Sequence, residues 1–149
     1  MDDMDLRILR VLQADSSLSV TDVAREVGLS ASPCWKRINK LRADGVIRQQ
    51  TAVLDAEQLG FGLTVFMELR TGEHSGDWLR SFAETVRAMP EVMEFHRMAG
   101  EVDYLLKVVV ADMKRFDEFY KRLVETTSLA EVTSRFSMES IKQTTALPI

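Results

Sequence analysis

Between Ser30 and Arg48 the chain carries five Lys/Arg and one acid, Asp44, on a stretch whose spacing reads as a single helix. Ser30 offers a hydroxyl suited to the N-cap, and Pro33 falls in the first turn, where a missing N–H does no harm. Gly45 can take the left-handed conformation beyond a helix end. Cys34, Ile38 and Leu41 recur at i, i+4 and i+7 and share one apolar face. The opposite face carries Ser32, Lys36, Asn39 and Lys40, with Trp35, Arg37 and Arg42 on its flanks. Donors and small side chains without an acid suit phosphate oxygens and base edges. Ser30, Ser32, Pro33, Trp35, Lys36, Arg37, Asn39 and Lys40 are therefore the candidate DNA-binding residues. Trp35 leans either on a neighbouring helix or on the DNA backbone.

The residues before this helix supply its frame. Asp3 or Asp5 can cap a first helix running to about Ala14, with Leu6, Ile8, Leu9, Val11 and Leu12 forming a broad apolar stripe. Asp15-Ser16-Ser17 breaks it. Ser19-Val20-Thr21-Asp22 reads as a capping box opening a second helix to Val27, and Gly28 supplies a turn. Two short helices joined by a Gly-containing turn, the second one basic, make a helix-turn-helix pattern. Val23, Val27, Ile38 and Leu41 are predicted to close its core. Val46–Leu54 is strand-like and suits a short wing or a connecting strand. An ordinary three-helix bundle with a solvated basic face satisfies the same periodicity.

The pattern changes after residue 54. Residues 55–62 contain two glycines and read as a linker. The predicted elements that follow are a strand over Leu63–Arg70, a helix over Asp77–Met89 ended by Pro90, strands over Val92–Met98 and Asp103–Val110, a helix capped by Asp112, and a strand over Glu131–Met138. The order βαββαβ is the ferredoxin-like split unit. The expected fold is thus α+β: a winged-type helix-turn-helix domain over residues 1–54, the linker, and a ferredoxin-like domain over 63–149. Helices on one face of an antiparallel sheet leave the other face needing a cover, and a second subunit supplies one.

Charge and composition narrow the function. The net charge is −4, which disfavours a protein that coats nucleic acid indiscriminately. Residues 1–55 balance eight acids with eight bases, whereas 56–149 hold fifteen acids and eleven bases, so positive potential is local to one helix. A lone cysteine excludes an internal disulfide and fits a reducing compartment; on the apolar face of its helix, Cys34 reads as a buried structural thiol rather than a redox switch. No apolar run resembles a signal peptide or reaches the ~18–20 residues of a membrane span, so a cytoplasmic location is expected. His74 and His96 have no second His or Cys nearby for a metal. Glu84, Glu91, Glu94 and Glu101 form no evident acid–base pair, and no nucleophile or phosphate-loop pattern is present. No cofactor and no catalytic residue is expected.

Several runs together resemble the Lrp/AsnC, or feast/famine, transcription regulators over nearly the whole length. They are Asp5-Leu6-Arg7-Ile8-Leu9, Gly28-Leu29-Ser30, Ser32–Arg37, Asp44-Gly45-Val46-Ile47 and, above all, Gly100-Glu101-Val102-Asp103-Tyr104-Leu105-Leu106. Within the family, Ser32–Arg37, Arg97–Gly100, Ala111–Arg115, Asp117–Leu123 and Thr144–Ile149 are most similar to the cysteine-responsive, DecR-type branch. One departure stands out. After Ile47 the family pattern has Gly and an aromatic, and this chain has Arg48-Gln49-Gln50.

The resemblance implies a homodimer assembling through the ferredoxin-like (RAM) domain, further into a tetramer or octamer. It also implies a small amino-acid effector bound in a dimer–dimer crevice beside Gly100, Val102, Asp103, Tyr104 and Leu105, with Ser134, Phe136 and Ser137 shaping the response. In that setting Asp103 can pair with an α-ammonium, backbone N–H groups near Gly100 can receive a carboxylate, and Tyr104 can form a wall. The DecR-type resemblance implies L-cysteine as effector and genes of cysteine catabolism as targets; leucine or methionine is the alternative. Two other classes stay open on residues alone: a small ferredoxin-like enzyme, and an assembly module whose helical domain binds protein.

Overall fold

The computed structural model describes residues 1–72 and 75–149; His74 lies outside the described residues. The chain forms two compact units, one of residues 1–53 together with 141–149 and one of residues 54–140.

In the first unit α1 (Asp3–Ala14), α2 (Val20–Val27) and α3 (Ala31–Ala43) pack around Ile8, Val23, Ala24, Val27, Cys34, Ile38 and Leu41. The four positions predicted for this core are all in it. The cap of α1 differs from expectation: Asp2, rather than Asp3 or Asp5, takes the N-cap. Its carboxylate accepts from Asp5 N at 2.9 Å, while Asp5 returns an acceptor to Asp2 N at 3.0 Å. Only carboxylates three apart can satisfy each other's orphan amides in this way, and that spacing selects Asp2 from the three nearby acids. At α2, Ser19 Oγ accepts from Asp22 N and donates to Asp22 Oδ2 at 2.6 Å. Gly28, at φ 75°, then turns the chain, and Leu29 N closes on Ala24 O at 2.8 Å.

Residues 46–54 form no strand. A strand needs a ladder, and no other segment of the described residues pairs with this one; side chains hold its start instead. Arg42 Nη2 donates to Gln50 Oε1 at 2.7 Å, and Gln50 Nε2 donates to Ser16 O at 3.2 Å. The departure at residues 48–50 thus fastens the chain leaving α3 to the loop between α1 and α2.

The second domain as read from sequence extended to residue 149, but residues 141–149 lie with α1. Gln13 and Arg10 bind the backbone of Leu147 and Ile149, a contact between residues more than 130 positions apart that no local pattern announces.

In the second unit β1 (Leu63–Arg70), α4 (Gly76–Arg87), β2 (Val92–Arg97), β3 (Tyr104–Val110), α5 (Met113–Thr126) and β4 (Glu131–Phe136) follow the predicted βαββαβ order. All pairings are antiparallel, in the spatial order β2-β3-β1-β4. Side chains alternate across the sheet. Val65, Met67, Leu69, Leu106, Val108 and Val110 meet Phe82 and Val86 of α4 and Phe116, Phe119 and Leu123 of α5. Each of these large buried side chains contributes about 1.5–3 kcal/mol relative to exposure. The other face carries Phe66, Leu105 and Val109 among charged partners: Lys107 to Glu94 at 3.1 Å, and Arg135 to Glu68 at 2.9 Å. No helix among the described residues is long and apolar enough to cross a membrane.

Candidate functional site

Two groups of residues were singled out by the sequence, one in each unit. In the first, α3 buries Cys34, Ile38 and Leu41 and turns Ser32, Pro33, Trp35, Lys36 and Lys40 to the exterior. Ser30 occupies the N-cap, but its side chain makes no capping hydrogen bond. Ser30, Ala31 and Ser32 are exposed, and the first amides of a helix lack intrahelical partners where the helix dipole favours an anion. Trp35 is 55% exposed.

The cations of α3 are not equivalent. Lys36 has no ion-pair partner among the described residues. Lys40 pairs with Asp44 one turn along, and that carboxylate holds the ammonium above its ordinary range. Both partners are solvated, so a phosphate can compete for Lys40 at small cost. Arg37 is different. Its Nη1 donates to Asp5 at 2.7 Å and to Asp2 at 2.8 Å, and its side chain is only 35% exposed. The sequence placed Arg37 among the DNA contacts, whereas the structure commits its guanidinium to the N-cap of α1. Those acids push the guanidinium pKa up, Asp5 first and Asp2 next. Arg42 reaches Gln50 and, at 3.5 Å, Asn39 Oδ1. Cys34 is fully buried, and desolvation raises its thiol pKa, away from the thiolate that a redox switch requires.

In the second unit the turn between β2 and β3 is closed by Met98 N donating to Asp103 O at 2.8 Å. Gly100 has φ 135°, a conformation that side-chain-bearing residues rarely adopt. Asp103 is the pivot. Its N–H donates to Leu69 O at 3.1 Å, and its Oδ2 accepts from Thr71 N at 2.8 Å. One carboxylate oxygen thus holds the chain leaving β1 against the turn.

Tyr104 does not form a ligand wall. It pairs with Leu69 across the ladder and shares its helix-side face, where it is 4% exposed and packs with Trp78, Phe82 and Phe95 at ring separations of 5.1–6.4 Å. Strand alternation sends Leu105 to the opposite face. Ser134 and Phe136 stand beside Met67 and Val65, and Phe136 meets Phe116 edge-on at 5.2 Å. Ser137 N donates to Thr64 O. Tyr104 aligns with Leu69, and Phe136 with Val65. Tyr104 and Phe136 are therefore about 13 Å apart along the strands, whereas Leu105, opposite Glu68, and Ser134, opposite Met67, differ by a single position and are separated by the width of β1.

Among the described residues no group of three or more His, Cys, Asp or Glu could hold a metal ion. Glu91 and Glu94 are engaged by Arg122 and by Lys107 with His96; Lys107 above all, then His96, holds the Glu94 carboxyl below its usual range.

Comparison with known proteins finds both halves. Residues 1–48 match the winged helix-turn-helix DNA-binding family and residues 64–147 match the Lrp/AsnC ligand binding domain. The chain is 51% identical to the DNA-binding transcriptional activator DecR of Escherichia coli K12, over 100% of this chain and 99% of that protein. An AsnC family transcriptional regulator from Agrobacterium tumefaciens superposes with a TM-score of 0.97 at 52% identity, covering 99% of this chain and 97% of that one. A transcriptional regulator from Neisseria meningitidis, solved as an L-Met complex, superposes with a TM-score of 0.94 at 35% identity, covering 99% and 96%.

Proposed function

Since the chain belongs to the Lrp/AsnC family of transcription regulators, we propose that it reads DNA through α3 as a homodimer and responds to L-cysteine at its ligand binding domain. That it is a DNA-binding regulator and not an enzyme follows from its relatives. The particular residues, effector and assembly are our reading.

At the DNA, Ser30, Ser32 and the amides of the first turn of α3 meet one phosphate, Lys36 and Lys40 neutralise others, and Asn39 or Ser32 reads base edges. Pro33 stiffens the turn that enters the groove, and Trp35 packs its exposed ring on the sugar–phosphate backbone. Two such helices in a dimer address half-sites about one helical turn apart, or a multiple of it.

At the effector site, Gly100 and Val102 present backbone donors to a carboxylate, and Asp103 offers its remaining lone pairs to an α-ammonium. The separation between this turn and Phe136 and Ser137 within one chain supports a site completed by a second chain. Assembly of dimers into a tetramer or octamer supplies that chain, and the reading places the protein in the cytoplasm, acting on genes of cysteine catabolism. The single observation that carries the cysteine assignment is 51% identity with DecR along the whole chain.

Methionine is the favoured second reading, because the Neisseria relative was solved with L-Met. A titration of single amino acids, L-cysteine under reductant among them, against the protein on DNA from its own upstream region separates the two. Anisotropy at fixed salt is the readout, because affinity varies steeply with ionic strength. A shift with L-cysteine alone is expected. A shift with methionine or leucine alone overturns the effector assignment and leaves the family standing. No retention on DNA overturns the role given to α3.

A further inference from the structure

The α1 helix of the DNA-binding unit carries a contact that neither the helix-turn-helix nor the effector site explains. Gln13 Nε2 donates to Leu147 O at 2.9 Å, and Leu147 N donates to Gln13 Oε1 at 3.0 Å. One carboxamide thus pairs with one residue's backbone in both directions, as a neighbouring strand would. Arg10, one turn earlier on the same face, donates through Nε to Ile149 O at 2.8 Å. Both grips are on the backbone, and Leu147 itself remains 67% exposed. A cavity of about 850 Å³ borders the clasped segment, lined by Leu6, Leu9, Leu12, Val46, Val53 and Ile149 among others. Residues 137–146 lead to the clasp from the end of β4 without regular structure, and Met138 and Ile141 on the way are 99% and 90% exposed.

The DNA-binding unit is consequently joined to residues 54–140 by two strands of chain, the linker before β1 and the clasped tail after β4. A unit on one flexible linker samples a wide range of positions, and a second attachment removes most of them.

We infer that Arg10 and Gln13 are specificity-determining residues: by clasping residues 147–149 they restrict the reach of each reading helix and so fix the half-site spacing that the dimer accepts. The inference rests on the dimeric half-site reading proposed above. It concerns spacing rather than base sequence.

The test measures dissociation constants at fixed salt for full-length protein on duplexes carrying two copies of its preferred half-site. The separation is varied one base pair at a time through a full helical turn. For the native protein, binding is expected to fall about tenfold or more between the best and worst spacing, as a short constrained connection requires. Two independent variants release the clasp from opposite sides. Arg10→Ala/Gln13→Ala removes both side chains, and Leu147→Pro removes the N–H that Gln13 accepts while keeping the backbone extended before Pro148. Each is expected to flatten the contrast to about threefold or less while affinity at the best spacing is nearly kept. Unchanged contrast in both variants overturns the proposal, and so does an equal loss at every spacing. A native protein indifferent to spacing overturns the half-site reading, and the clasp's role falls with it.

Discussion

Arg37 of α3 and Asp5 of α1 are joined at 2.7 Å, with the Asp5 side chain only 14% exposed. The same guanidinium nitrogen reaches Asp2 at 2.8 Å. Helix α3 is thereby pinned to the first turn of the domain by one of its own cations. This divides the basic residues of α3 into one that positions the helix and others that face outward.

Salt dependence tells these roles apart. Each phosphate that a cation neutralises contributes to the slope of log affinity against log salt. Lys36→Ala should weaken binding to all sequences alike and make the slope shallower by about 1. Arg37→Ala should leave the slope unchanged and instead lower the melting temperature of the unit by roughly 3–5 °C. A reduced slope for Arg37→Ala would return it to the DNA-binding residues.

The capping carboxylate of α1 sets a pH dependence. The Asp2 carboxyl is held below its ordinary 3.8 by the backbone N–H of Asp5 first and by Arg37 second. A depressed carboxylate contributes stability that is present above its unfolded-state pKa and is lost as pH falls through the folded one. Urea midpoints should therefore be flat between pH 7 and 5 as far as this group is concerned and fall below about pH 4. Asp2→Asn should show a shallower fall, because the acid-sensitive contribution is already missing from it at neutral pH.

Asp103 has two duties that conservative substitution separates. Asparagine keeps a carbonyl oxygen able to accept from Thr71 N but lacks the charge for an ammonium; alanine lacks both. Asp103→Asn should retain thermal stability and effector-free DNA binding while losing the effector response. Asp103→Ala should in addition lose about 1 kcal/mol, for the hydrogen bond from Thr71 N that it removes. If asparagine responds normally to the amino acid, the ammonium contact is wrong.

Cys34 should be inert in the folded protein. Its thiol is fully buried and its pKa is raised by desolvation, so an aromatic disulfide reagent should titrate no thiol until denaturant is added. Cys34→Ser should cost about 1–3 kcal/mol through burial of a hydroxyl. Reaction under native conditions at the rate of a free thiol would reopen the redox reading.

Local chemistry was legible and long-range commitment was not. The apolar periods of α1 to α5, the break at Gly28 and the alternation in β1 and β3 are properties of neighbouring residues, and the elements fall within a few positions of where those patterns put them. Tyr104 illustrates the limit. Its motif was readable, but which face of β3 it takes depends on its pairing with Leu69, thirty-five positions earlier. The partners of Arg37 were hidden for the same reason, because a guanidinium on a basic helix looks alike in sequence whether or not it reaches a distant N-cap. The strand expected over residues 46–54 has the right residue types, but its ladder partner is absent from the described residues.

The division of the first unit between residues 1–53 and 141–149 has a temporal consequence. During synthesis the three helices of the reading head leave the ribosome early, and the segment that Gln13 and Arg10 grip follows only after residues 54–140. Contacts closing 134 and 139 positions of chain belong among the slowest to form. The newborn reading head therefore passes through a period with its α1 surface bare, and it acquires its mature outline only after the ligand binding domain has been made.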